Sequence, residues 1–376
     1  MKKRLTAENG NERRTKEKVM ASALTFRSIS KNHLGWHSDL GGDLREWLYL
    51  DGWTDNGYKY SLVLASKMEM GENVVGPEKA DWPLVDCQVI SPEGVVQRVA
   101  KAFPIEKLKM KPWGVSIGDN VFRGSLTPDG LPAGYRVKVA VGDVGIDITA
   151  EAICTGIRFV EEEHGYMYYD PTTNVGVGWW PLLPGAKVKG TLTYQGKKIP
   201  VTGFGYCERQ VGNEVFAGWI SHWFWGHMWA GDYTAIWSHT TSPESMQYRH
   251  FSPLVLWKGK DIILSTHNLA LEAANFELDP EIGMPYPTAE TLHATEANVE
   301  LTALILRGTI TERDLMVNNP GTSPENPGCY FRQYSDIDVE IRRLDRLEQI
   351  RGKCVHEAGW ITRWFPVPGR CPVPGK

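Results

Sequence analysis

The chain carries no excess of positive charge: 41 Lys and Arg stand against 45 Asp and Glu, a formal net charge of −4 over 376 residues. A nucleic-acid surface neutralises phosphates with clustered Lys and Arg, and the absence of a large basic stripe excludes that class. Apolar runs break within about ten residues, short of the roughly 20 that a bilayer-spanning helix needs, so no stable membrane insertion is expected. Long helical periodicity is lacking, with one short helix predicted around 268–277. No glycine-rich loop follows a strand and opens a helix, which removes the nucleotide-binding folds. Cysteine is sparse, at positions 87, 154, 207, 329, 354 and 371. There is no C-x-x-C pair and no histidine at metal-ligand spacing, so neither a disulfide framework nor a metal site is expected. Reduced thiols and a cytoplasmic location are the default.

The N-terminal stretch, residues 1–35, reads as a solvated basic tail. Lys2, Lys3, Arg4, Arg13, Arg14, Lys16 and Lys18 are followed by no apolar segment, which argues against a secretory signal. Order is expected from about Trp36.

What the chain has in abundance is aromatic side chains: 15 Trp, 14 Tyr and 11 Phe. A β-rich core accounts for them, because aromatics favour strands. So does an aromatic-lined ligand cavity, because a buried indole brings a large apolar surface and an N–H that wants a partner. Residues 46–66 read as two strands about an Asp55-Asn56-Gly57 turn, and 186–206 as a second hairpin about Gln195-Gly196. Short strands punctuated by Pro and Gly are expected at 84–90, 95–101, 135–142, 145–150, 152–160, 251–257, 261–267, 297–305 and 338–345. The fold class that follows is all-β, with two antiparallel domains: 36–204, a sandwich or open barrel, and 205–376.

The densest stretch is Gly203 to His239. A strand from Trp219 to Trp229 would place Trp219, Ser221, Trp223, Trp225 and His227 on one face, and Ile220, His222, Phe224 and Met228 on the other. The returning strand adds Tyr233, Trp237 and His239. Such a surface can bind a largely apolar ligand or simply fill a barrel. Each histidine can be catalytic or a hydrogen-bonded structural group. Glu208 and Arg209 lie beside this hairpin. A carboxyl at the edge of an apolar cavity has a raised pKa and can act as a general acid, and an adjacent Arg can stabilise developing negative charge. A solvated ion pair is the other reading.

The segment Trp47-Leu48-Tyr49-Leu50-Asp51, the run from Pro184-Gly185-Ala186-Lys187-Val188 to Tyr194-Gln195-Gly196-Lys197, and Gly203-Phe204-Gly205-Tyr206 together resemble the double-lipocalin proteins. That superfamily includes AttH, carotenoid 1,2-hydratases, kievitone hydratase and fungal Diels–Alderases. Its hydratases carry G-x-G-Y-x-D-x-N-W-G followed by W-x-W-G. Glu208 falls at the carboxylate position, and Trp223, Trp225, Gly226 and His227 match the second segment. Cys207, Gln210 and Val211 depart from the pattern. The resemblance covers most of the chain in outline and only about 60 residues in recognisable detail.

The resemblance implies that the C-terminal domain is a lipocalin-like barrel, with the ligand site where the domains meet, an apolar small-molecule substrate, and no metal or organic cofactor. It implies Glu208, Arg209 and His227 as catalytic candidates. Tyr49, Asp51, Tyr206, His222, Trp223, Trp225, Tyr233 and Trp237 are the substrate-binding candidates. Loss of the Asn-Trp element favours a Diels–Alderase-type cyclase of a polyene, polyketide or terpenoid intermediate. Retention of the carboxylate keeps a hydratase or dehydratase in view, and a non-catalytic carrier is the third class.

Overall fold

The computed structural model describes residues 25–29, 44–67, 75–160, 168–170, 172, 174–213, 220–244, 247–317, 322–323, 327–344 and 346–361. They form an all-β, lipocalin-like architecture of two large antiparallel sheets, one curled into a half-barrel. Within the predicted tail, strand β1 (Thr25–Ser28) pairs with β11 (Ile157–Val160), so this part of the N-terminal segment is not a solvated arm. Trp36 lies outside the described residues.

The first sheet is built from β2 (Arg45–Thr54), β3 (Lys59–Lys67), β4 (Leu84–Ile90), β5 (Val96–Ala102), β6 (Leu108–Lys111), β7 (Gly114–Ile117) and β8 (Asn120–Leu126). It continues with β9 (Pro132–Val141), β10 (Val144–Ala152), β12 (Tyr168–Asp170), β13 (Val175–Tyr194) and β14 (Lys197–Gly212). The spatial order β5-β4-β3-β2-β14-β13-β10-β9-β8-β7-β6 curls back so that β4 and β5 meet β9 and β10. A core of Leu48, Leu50, Leu62, Val89, Val137, Ile146, Trp180 and their neighbours fills that curl.

The hairpins follow from turn chemistry. Gly57 takes φ 86° after Asp55-Asn56, and Gln195 and Gly196 take φ 50° and 73°, the left-handed pair that a two-residue hairpin requires. Strand β13 runs through Pro181 and Pro184, which would ordinarily break a ladder. The register slips between Pro181 and Leu183 and again before Ala186, because bulges are where a residue without N–H is tolerated. Strand β14 pairs with β2 through Gly212, so the expected domain boundary at 204/205 falls inside a strand of the first sheet.

The second sheet contains β15 (His222–Ala230), β16 (Tyr233–Thr241), β17 (His250–Phe251), β18 (Leu254–Lys258), β19 (Asp261–Thr266) and β20 (Ala270–Leu278). It is completed by β21 (Pro285–Glu296), β22 (Val299–Leu306), β23 (Thr309–Met316), β24 (Gly328–Arg343) and β25 (Arg346–Trp360). Its order is β19-β18-β16-β15-β25-β24-β22-β21-β20, with β17 beside β16 and β23 beside β24. The helix expected around 268–277 is strand β20. Its Ala- and Glu-rich composition favours helix, and Asn275 at φ 54° breaks the alternation that would have revealed a strand. Pairing with β21 decides the outcome.

The two sheets meet face to face. Trp47 and Tyr49 of β2, Trp179 of β13 and Tyr206 of β14 pack with Trp223, Trp225 and Trp229 of β15, and with Tyr330 and Tyr334 of β24, in one buried cluster. The opposite face of β15 turns inward to the second sheet's own core, with Met228, Tyr233 and Trp237. The period-two reading of 223–229 therefore holds, while Trp219 lies outside the described residues. Gly226 lets Trp237 lie flat on β15: a Cβ there would sit 2.3 Å from the indole Cζ2 and 2.8 Å from the Val355 carbonyl oxygen. Gly226→Ala is expected to lower stability by about 1–3 kcal/mol through overpacking, read from chemical denaturation. An unchanged midpoint would mean that the indole has room to move.

Candidate functional site

Strand β2 presents Trp47, Tyr49 and Asp51 to the seam, and β14 presents Tyr206, Glu208 and Gln210 beside them in register. From the other sheet, β15 presents Trp223, Trp225, His227 and Trp229. Asp51 and His227 meet there. His227 Nε2 lies 2.8 Å from Asp51 Oδ2, with both side chains fully buried. The Tyr49 hydroxyl donates to the same oxygen at 2.6 Å. The Tyr206 ring stacks on the imidazole with centroids 4.2 Å apart and planes 9° from parallel. Trp225 and Trp229 close on it edge-to-face at 5.3 and 4.7 Å.

With Asp51 ionised, His227 Nε2 carries the donated proton, and Nδ1 is left as the reactive nitrogen. Among the described residues Nδ1 has no hydrogen-bond partner, nor do Asp51 Oδ1, Trp225 Nε1 and Trp229 Nε1. An unmatched buried polar atom costs about 1–3 kcal/mol, so a cluster of them around one imidazole marks a place where a polar ligand atom would be stabilised. Burial pushes both phenols up, Tyr49 and Tyr206 alike. They therefore stay protonated and act as donors.

Glu208 is held differently. Its Oε2 accepts from the Tyr206 hydroxyl at 2.6 Å and from the Trp179 indole N–H, and its Oε1 accepts from Gln210 Nε2 at 2.6 Å. Burial nevertheless dominates these three donors and raises the carboxyl to about 7. Both oxygens are thus occupied, and Glu208 reaches the dyad through Tyr206, which it orients.

A wall of charge flanks Tyr49. The Arg332 guanidinium lies 4.7 Å from the centre of the Tyr49 ring and bonds Glu357 at 2.9 Å and Glu312 at 2.6 Å. Glu312 also meets Arg98 of the first sheet at 2.9 Å, and Arg98 meets Asp86 at 2.6 Å. Burial beside these carboxylates raises Asp314 to about 6. Among the described residues no group of three or more His, Cys, Asp and Glu side chains is placed to share a metal ion.

Of the sequence candidates, Tyr49, Asp51, Tyr206, Glu208, Trp223, Trp225 and His227 come together in the seam. Four do not. Arg209 points to the opposite face of β14, buried in the first sheet near Glu46 at 3.6 Å. Adjacent strand residues cannot share a face, so the Glu208–Arg209 pairing fails. Tyr233 and Trp237 belong to the second sheet's interior. His222 lies on that same inner face of β15, with His239 and His250 near it, and burial lowers it to about 4. Sequence reasoning missed Trp179, Trp229, Tyr330, Arg332 and Glu357. The Tyr330-Arg332-Tyr334 parity was the signal available for the β24 residues.

The architecture is that of the double-lipocalin fold, and the comparisons agree. No sequence-family profile matches the chain. It superposes on CghA in complex with Sch210972 with a TM-score of 0.56 at 10% identity, over 86% of this chain and 90% of that one. A protein designated AttH from Nitrosomonas europaea gives 0.58 at 14% identity, over 88% and 95%. Kievitone hydratase from Nectria haematococca gives 0.54 at 15%, over 90% and 97%. In sequence, 113 residues are 26% identical to the quinolone epoxide rearrangement protein of Penicillium thymicola, covering 29% of this chain and 31% of that protein. The chain thus matches about a third of that relative's length.

The raised pKa of Glu208 has a thermodynamic consequence. Ionising it is penalised in the folded protein and not in the unfolded chain. The penalty is therefore absent below about pH 4.5, grows as pH rises, and is complete above about pH 7. A displacement from 4.5 to about 7 is worth about 3 kcal/mol. Glu208→Gln removes the titration, and the Gln210 amide can flip to meet the new NH₂. The stability of Glu208→Gln relative to the native protein is expected to rise by up to about 3 kcal/mol between pH 4.5 and 8 in denaturant titrations. His222 and His239, lowered to about 4 by burial, work in the opposite direction but are common to both proteins. Parallel stability curves would show that Glu208 ionises freely.

Proposed function

We propose that this chain is an enzyme that cyclises or rearranges an apolar, oxygen-bearing small molecule, of the kind made in secondary metabolism, at the seam between the two sheets. The observation that carries the reading is the buried Asp51–His227 dyad, whose free Nδ1 lies among Tyr206, Trp225 and Trp229. Once Nδ1 is protonated as well, the imidazolium donates from it to a carbonyl or epoxide oxygen, and Asp51 balances its charge. The surrounding indole and phenol faces stabilise positive charge that develops on carbon, and their packing confines the substrate to reactive conformers. The proton returns to Nδ1 as the product forms, so no external reagent is consumed.

The comparisons lend support at the level of reaction type. Structural neighbours include CghA with Sch210972 and kievitone hydratase, and the sequence relative is an epoxide rearrangement protein. One observation favours a second reading: a carboxyl raised to about 7 is suited to protonating an alkene, as a hydratase requires. Against it, Glu208 has both oxygens engaged by protein donors.

The test is incubation with tethered diene–dienophile polyenes, vinyl epoxides and prenylated alkenes, with products analysed by mass spectrometry. An isomer of unchanged mass is expected, and a product that gains water would overturn the cyclase reading. His227→Gln and Asp51→Asn should each lower turnover by roughly 10²-fold or more. Glu208→Gln should cost roughly tenfold or less, and Trp225→Ala more than that, because the substrate is no longer confined. Binding without turnover, unaffected by any of these changes, would identify a carrier.

A further inference from the structure

The second sheet's interior holds another set of polar side chains, on the opposite face from the dyad. Ser335 of β24, His356 of β25 and Glu290 of β21 are 1%, 3% and 1% exposed. Ser335 Oγ lies 2.9 Å from His356 Nε2, and His356 Nδ1 lies 3.0 Å from Glu290 Oε1. In register, His356 is opposite Gly226, whereas His227 is opposite Val355. The thickness of the sheet therefore separates this set from the seam.

Bond assignments follow from the chemistry. An ionised Glu290 accepts from Nδ1–H, which fixes the tautomer and leaves Nε2 as a lone-pair acceptor. The Ser335 hydroxyl must then donate to it. This is the order of hydroxyl, imidazole and carboxylate that activates a serine for acyl transfer. The flanking residues on those strands, Leu292, Ile337, Cys354 and Ala358, are buried and apolar. Glu290 Oε2 has no hydrogen-bond partner of its own among the described residues.

The approach to Ser335 is thin. An open cleft of about 500 Å³ is lined by Trp53, Leu304, Leu306, Arg307, Gly308 and Tyr334, among others. A Cβ built on Gly308 would fall 2.3 Å from Ser335 Oγ. The same Cβ would fall 2.0 Å from the Tyr334 carbonyl oxygen, so the bare, partly exposed Gly308 backbone packs against the hydroxyl and is the wall between it and the cleft.

We propose that Ser335, His356 and Glu290 form a second, serine-based reactive site, separated from the cleft by the Gly308 backbone alone, that takes small uncharged acyl esters or lactones. The seam reaction proposed above is independent of it. Ser335 Oγ attacks the acyl carbon while its proton passes to His356 Nε2. The carbon–oxygen bond to the leaving alkoxide breaks, and the alkoxide takes that proton. Water then adds by the same route and releases the acid.

The probe is an alkyl fluorophosphonate applied to the intact, full-length protein. Ser335 Oγ displaces fluoride from phosphorus, the Oγ–P bond replaces P–F, and the proton leaves through His356. A single adduct on Ser335 is expected by intact mass and peptide mapping, and it should be absent from Ser335→Ala. His356→Gln and Glu290→Gln should each slow labelling by roughly 10²-fold or more, with folding checked by circular dichroism. Two outcomes overturn the proposal: no adduct on Ser335 of the folded native protein after prolonged exposure, or an adduct that forms as fast in His356→Gln. Either would make the three residues a polar tie of the barrel.

Discussion

The constraint on which the seam depends is the contact between one carboxylate and one imidazole from different sheets. Asp51 sits on β2 and His227 on β15, and neither is accessible to solvent. A buried ion pair returns its desolvation cost only when geometry and additional hydrogen bonds are good. Tyr49 supplies one such bond, and the stacked Tyr206 ring excludes water from the imidazole face. The positions of β2, β14 and β15 are thereby tied together. The tryptophans can pack tightly around a polar centre because the sheets that carry them are in fixed register. Removing His227 would leave a buried carboxylate without its partner, and removing Asp51 would leave the imidazole Nε2 without its acceptor, so either loss costs more than the pair contributes.

A second tie lies farther along the seam and has a different character. Arg98 and Asp86 come from the first sheet, and Glu312, Arg332 and Glu357 from the second. Two guanidiniums are surrounded by these three carboxylates and Asp314, so the cluster tends to retain a proton. Burial and neighbouring negative charge raise Asp314 to about 6, whereas Arg332 and Arg98 keep Glu312 low. Arg332 also covers the Tyr49 ring. The network therefore acts on the dyad through an uncharged aromatic face, and it sets where Tyr49 points without competing for its hydroxyl proton.

Local chemistry made part of this legible in the chain. Period-two alternation separated Trp223, Trp225 and His227 from Phe224 and Met228, and the Gly57 and Gly196 turns marked the hairpins. Long-range relations were not legible. Nothing near Arg209 shows that β14 buries it against Glu46, away from its neighbour Glu208. Pro181 and Pro184 concealed the strand that brings Trp179 to Glu208, because a bulge hides a proline only after pairing is known. Tyr233 and Trp237 read as continuous with the aromatic stretch, yet the returning strand's parity sends them into the other core. Asp51 and His227 were each visible, but their contact spans 176 residues.

Asp51 and Glu208, side by side in the seam, show how environment divides labour between similar groups. Glu208 accepts three hydrogen bonds and is still raised to about 7, because burial outweighs them and Glu357 adds like charge. Asp51 is equally buried but faces an imidazole that can take a positive charge. A carboxylate saturated by donors has little left to offer a substrate, whereas one that shares a proton with imidazole can pass a change of charge to that ring's far nitrogen. On the proposed function, Glu208 orients while Asp51 and His227 carry the proton, and Tyr206 is the shared element. It donates to the first and stacks on the second, so a shift in the charge of Glu208 would reach the imidazole as a change in how firmly its covering ring is held.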